Sequence, residues 1–183
     1  MTSLVRPHYQ WYKEADAEQA KATGGMLALL PRSDFAEQLA VPGGEPPEDL
    51  HITVIYFGQD VTDSPIGPDA IGQAVSGIAD QFSPIVARVF GHAVFNPTGD
   101  EPCAVYIVGG SPEDNATDLN EIHLQLEEVV APLWDLSEQH SPWIPHITAG
   151  YGIDPGTLGY TGEIILDRLV LEWGGQSHEF PLV

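Results

Sequence analysis

A chain of 183 residues with 43% hydrophobic side chains can bury a real core, and its composition is ordinary for a soluble globular domain. Six Lys plus Arg against 27 Asp plus Glu give a formal net charge of −21. The bases (Arg6, Lys13, Lys21, Arg32, Arg88 and Arg168) form no stripe, which argues against a long nucleic-acid backbone and leaves a small anion in a local pocket open.

Cys103 is the only cysteine, so an internal disulfide and a Cys-rich zinc site are excluded. No apolar run is long enough to span a bilayer and no secretory signal is visible, so a cytoplasmic protein is expected, with no membrane partner.

Residues 1–23 read as an N-terminal arm or lid, followed by one domain over 24–183. Tyr9, Trp11 and Tyr12 open the arm, and 13–22 is a good helix-forming run ended by Gly24-Gly25. Met26–Leu30 predicts a buried strand closed by Pro31, and Ser33 is placed to cap a helix over Asp34–Ala40. After a turn-rich loop at 41–49, Leu50–Phe57 predicts a strand and Pro68 opens a helix through Phe82. Ile85–Phe95 reads as a strand or hairpin, Ala104–Val108 as a short strand, and Asn115–Ala131 as the longest helix. Trp143–Tyr151, Glu163–Trp173 and His178–Val183 are the remaining strands, the last two joined through Gly174-Gly175. The pattern is α+β with an internal pseudo-repeat.

One tripeptide occurs twice, as His51-Ile52-Thr53 and His146-Ile147-Thr148, each inside a strand-like run and after a proline-containing loop. Residues i and i+2 of a strand share a face, so each copy presents an imidazole beside a hydroxyl while Ile52 or Ile147 points the other way. Two such couples across a cleft supply two proton-transfer groups and two hydroxyl donors around one small anion. That is a machine for phosphoester chemistry without a metal or other cofactor. The remaining histidines show no metal spacing, and Cys103 reads as a small buried residue.

On the segment Pro46-Pro-Glu-Asp-Leu-His51-Ile-Thr53-Val-Ile-Tyr-Phe-Gly58 and on Pro145-His146-Ile-Thr148, the chain resembles the 2H phosphoesterase superfamily, the group historically called 2′-5′ RNA ligases. The resemblance covers about residues 24–183. It implies a bilobal fold of two pseudo-symmetric halves whose antiparallel sheets line a central cleft. It also implies that one of His51 and His146 acts as general base and the other as general acid, with Thr53 and Thr148 binding phosphate oxygens.

Several RNA-directed members carry a basic residue five positions after the second histidine, where this chain has Tyr151. A small nucleotide containing a cyclic or 2′-linked phosphodiester is therefore the expected partner, rather than a long RNA; a cyclic oligonucleotide immune messenger is one version. Tyr151 joins Tyr9, Trp11, Tyr12 and Trp143 as candidate substrate contacts, with core or surface packing as the competing reading. Strict alternation turns Tyr56 and Tyr151 away from the histidines and leaves Gly150 on their face, giving space beside a phosphate. The alternatives are a nucleotide-binding module without turnover and, more weakly, a metal hydrolase built on His51 and His146.

Overall fold

A computed structural model describes residues 22–100, 102–110, 118–137 and 139–183. The expected arm aromatics Tyr9, Trp11 and Tyr12, and the expected helix over 13–22 apart from Ala22, lie outside the described residues.

The elements run β1 (Gly25–Pro31), α1 (Ser33–Leu39), β2 (Ile52–Gly58), α2 (Pro68–Ala79), β3 (Ile85–Phe95), β4 (Cys103–Gly110), α3 (Asp118–Val130), β5 (His146–Tyr151), β6 (Gly162–Trp173) and β7 (Gln176–Pro181). The strands form one antiparallel sheet in the order β2-β1-β6-β3-β4-β5, with β7 also paired to β6. β6 belongs to both halves: Gly162–Leu166 pairs with β3, while the stretch from Leu166 to Trp173 pairs with β1. The sheet curls so that β2 and β5, the two ends of that path, come into contact. The architecture is α+β and bilobal, as the sequence predicts.

One sheet face carries the core. Leu27, Leu29, Ile52, Ile55, Ile147 and Leu171 are fully buried there, with Ile71 and Val75 of α2 and Ile122 and Leu126 of α3 in the same cluster. The stripes at i, i+3 and i+4 that predict these helices are the faces they bury. Among the described residues no helix is long and apolar enough to cross a membrane.

Several boundaries move for identifiable reasons. Ser33 does not cap α1 but is its first residue; Arg32 holds the cap position, its N–H donating to Ile165 O and its guanidinium gripping Asp34 at 2.7 and 2.8 Å. That contact holds the Asp34 carboxyl below its ordinary range. β5 begins at His146 rather than Trp143, because Pro142 and Pro145 lack the N–H a ladder needs. Leu50 closes a 3-10 turn over Pro47–Asp49, so β2 begins at Ile52. β7 starts at Gln176, since Gly174 and Gly175, at φ 54° and 79°, complete the reversal in two residues.

Both motif strands carry an extra residue at the same place. On β2, Leu27 faces Ile55 and Ala28 faces Thr53, leaving Val54 unmatched; on β5, Ala104 faces Gly150 and Val105 faces Thr148, leaving Ala149 unmatched. A bulge shifts alternation by one. Val54 and Ile55 are accordingly both buried, as are Ala149 and Gly150, and Tyr56 and Tyr151 return half-exposed to the face of the histidines.

This corrects the expectation from strict alternation. Gly150 does not leave room beside the motif; it admits the 41–49 loop, since a Cβ there would lie 2.8 Å from Gly44 Cα. A Cβ on Gly44 would in turn strike the Ala149 carbonyl oxygen. Gly44→Ala is expected to destabilise the protein by about 2 kcal/mol or more, a typical cost of overpacking against backbone. Gly77→Ala on α2, where a Cβ meets nothing within 4 Å, should gain up to about 1 kcal/mol. Urea unfolding of the two variants checks both signs.

Candidate active site

His51 and Thr53 stand half-buried just before and on β2, and His146 and Thr148 half-buried on β5, with the intervening Ile52 and Ile147 fully buried. The residue pattern thus sets the orientation: each isoleucine anchors in the core and thereby turns its two polar neighbours outward. Since β2 and β5 are in contact, the two couples lie on neighbouring strands.

Each imidazole is held in the same way. His51 Nδ1 lies 2.7 Å from the Asp49 carbonyl oxygen, and His146 Nδ1 lies 2.8 Å from the Ile144 carbonyl oxygen, two residues upstream in both cases. A carbonyl only accepts, so Nδ1 carries the hydrogen in each neutral ring and Nε2 is the atom that takes up or gives a proton. The proline-containing loops before the motifs supply these carbonyls: Asp49 ends the 3-10 turn begun by Pro47, and Ile144 precedes Pro145.

The same two loops cross-link the motifs. Trp143 Nε1–H donates to Thr53 O at 3.0 Å, and the Gln139 amide accepts from Tyr56 N–H at 2.9 Å and donates to Tyr56 O at 2.7 Å. Reciprocally, the Glu45 N–H donates to Ala149 O at 2.8 Å. β2 and β5 are edge strands, whose outward backbone groups need partners; each finds them in the segment leading to the other motif.

Other predicted residues are placed as follows. Trp143 stacks its indole on the His123 ring at 4.0 Å and 2°, while its N–H is committed to Thr53. Tyr151 lies half-exposed beyond Thr148 on the motif face.

Three neighbours escaped the sequence reading. Phe95, the last residue of the strand over Ile85–Phe95, packs against His146 at 4.7 Å. Gln139 gives no signal in sequence. His123 does: it interrupts the apolar stripe of α3, is 8% exposed, and has Glu127 at 3.5 Å.

The only cations that share the sheet with the motifs, among the described residues, are Arg88 and Arg168, and Arg168 is paired at 2.7 Å with Asp167. Among the described residues no group of three or more His, Cys, Asp or Glu is arranged to hold a metal ion. A separate surface depression is lined by Asp60, Asp63, Ile66, Trp134 and Asp135 and contains no motif residue; its carboxylates repel a phosphate.

A family model described as the 2′-5′ RNA ligase superfamily matches residues 37–181. No curated protein sequence matches the chain. Among solved structures, the fold is similar to TT0787 of Thermus thermophilus, with 16% identity, 87% of this chain and 98% of that chain covered, and a TM-score of 0.56. It is similar to E. coli LigT complexed with 3′-AMP, with 16% identity, 88% and 95% covered, and a TM-score of 0.52. Usb1 of Kluyveromyces marxianus shares 12% identity, with 89% and 100% covered and a TM-score of 0.57.

Two outcomes are expected from this geometry. In long-range proton–nitrogen NMR spectra at about pH 9, where imidazoles are neutral, His51 and His146 should both report hydrogen on Nδ1 and an unprotonated Nε2. The opposite tautomer in either ring would contradict the carbonyl contacts. Burial lowers the pKa of His123 below its ordinary value of 6.5, only partly opposed by Glu127. The unfolded chain then binds a proton that the folded one refuses, so stability is lost as pH falls from about 6.5 toward the depressed value. Relative to wild type, His123→Phe should gain stability between about pH 7 and pH 5, measured as the pH dependence of the urea midpoint.

Proposed function

The chain belongs to the 2′-5′ RNA ligase superfamily, the 2H phosphoesterases, and from that premise we propose that it is a metal-independent phosphodiesterase acting on a small nucleotide. The substrate carries a cyclic or 2′-linked phosphodiester: a 2′,3′-cyclic phosphate or a cyclic oligonucleotide signal. The observation that carries this reading is the twin Nδ1–carbonyl contact, which leaves Nε2 of both motif histidines as the proton-transferring atom.

In the proposed reaction one Nε2 removes a proton from water as its oxygen bonds to phosphorus. The other Nε2–H gives its proton to the ribose oxygen as the P–O bond breaks. Thr53 and Thr148 donate hydrogen bonds to the non-bridging oxygens, where charge grows. The base ring now holds a proton taken from water and the acid ring has lost its own to the ribose oxygen, and exchange with solvent resets both.

A small substrate is supported by the charge of −21 and by Tyr151, which stands where several RNA-directed relatives carry a base. The bulge brings Tyr151 to the motif face, where its ring can flank a nucleobase or ribose. Tyr9, Trp11 and Tyr12, outside the described residues, are the further candidates for stacking on a base. The E. coli relative solved with 3′-AMP supports a mononucleotide-sized ligand.

Incubation with 2′,3′-cyclic mononucleotides, 2′-5′ oligoadenylates and cyclic di- and trinucleotides, with and without EDTA, is the test. Turnover should survive the chelator, and kcat/KM should be bell-shaped in pH. His51→Ala and His146→Ala should each lose about 10²–10⁴-fold in rate while remaining folded. Tight binding with every ligand recovered intact would instead identify a sequestering module, and loss of rate in EDTA restored by zinc would identify a metal hydrolase.

A further inference from the structure

We propose that Trp143 is a positioning residue for the first motif, setting the aim of His51 and Thr53 through its indole N–H bond to the Thr53 carbonyl. The inference rests on the phosphodiesterase reading for its kinetic consequence but not for its structural one.

On one edge β2 is laddered to β1; its other edge has no strand partner among the described residues. A strand held along one edge is free to twist about that line, and twist is what would carry the His51 and Thr53 side chains toward or away from β5. Side chains secure the opposite edge. Thr53 O, Tyr56 N–H and Tyr56 O receive Trp143 and Gln139, so the segment 139–143 substitutes for a missing strand. Of these bonds, the one from Trp143 falls on a motif residue itself.

The indole is in turn fixed from below. Its ring lies parallel to His123 at 4.0 Å, and His123 is buried on α3 among Leu119, Ile122 and Leu126. A rigid path therefore runs from the core of the second half, through two stacked rings, to the backbone of the first motif. The next residue after Trp143 is Ile144, whose carbonyl orients His146. One dipeptide thus touches both motifs: Trp143 holds the strand of one, and Ile144 aims the ring of the other. Displacing it alters the separation between the two proton-transfer atoms, and misplacement of that kind costs rate steeply.

The test is to replace Trp143 by benzothienylalanine, which keeps the bicyclic shape and the stack on His123 but has sulfur in place of the N–H. Trp143→Phe is the encodable companion. The expected result is a shift of the His51 ring nitrogen and carbon signals in NMR spectra, with His123 signals retained in the benzothienyl protein. On a substrate that wild type turns over, kcat should fall roughly tenfold to a hundredfold with KM within about twofold. A His51 spectrum identical to wild type overturns the proposal whatever the rate does. So does a shifted His51 spectrum with unchanged kcat, because the bond would then stabilise without positioning. If wild type turns over no phosphodiester, the functional reading fails on its own and the His51 spectrum alone decides this one.

Discussion

The structure depends on how two edge strands are kept in place. The motif strands β2 and β5 are the two ends of the sheet path, and an edge strand has a row of backbone donors and acceptors without a ladder partner. Here each row is served by the loop that introduces the opposite motif. Trp143 and Gln139 reach β2, and Glu45 reaches β5. Those loops also provide the carbonyls, Asp49 and Ile144, that orient the histidines. Ring orientation, strand attitude and closure of the curled sheet are therefore set by the same few residues. The close approach of Gly44 to Gly150 belongs to this arrangement, since any side chain on either would lift the 41–49 loop from β5.

Much of the fold could be read in the residues because burial and periodicity agree. The apolar stripes of α2 and α3 and the alternation around Ile52 and Ile147 map directly onto the core. The repeated tripeptide also announced the motif residues, since an isoleucine between two polar side chains in a strand has one way to face. Alternation failed just beyond each threonine. A bulge is a property of pairing between two strands, and nothing in His-Ile-Thr-Val-Ile-Tyr signals that Val54 lacks an opposite number. The error reversed the faces assigned to Tyr56, Gly150 and Tyr151.

The contacts made by the other members of the site were illegible for a related reason. Trp143 donates across 90 residues to Thr53, and Gln139 across 83 to Tyr56, so only tertiary structure reveals what they hold. Phe95 on β3 reaches His146 on β5 across the intervening strand β4, a contact the sequence does not encode locally. Of the three neighbours that escaped the sequence reading, His123 alone left a trace there, a polar ring in an apolar helix stripe. Electrostatics follow a similar division: the chain-wide excess of acid is obvious from composition, whereas the pairing of Arg32 with Asp34 and of Arg168 with Asp167 appears only in three dimensions.

β6 passes through both halves, zipped to β3 along its first part and to β1 along its second. A clamshell motion would have to bend or unzip this common spine, at the expense of continuous main-chain bonding. The two halves are thus joined by one continuous strand and not by a loop hinge. For the same reason neither half is a separable module: cutting the gene between them would strip one fragment of the strand that completes its sheet.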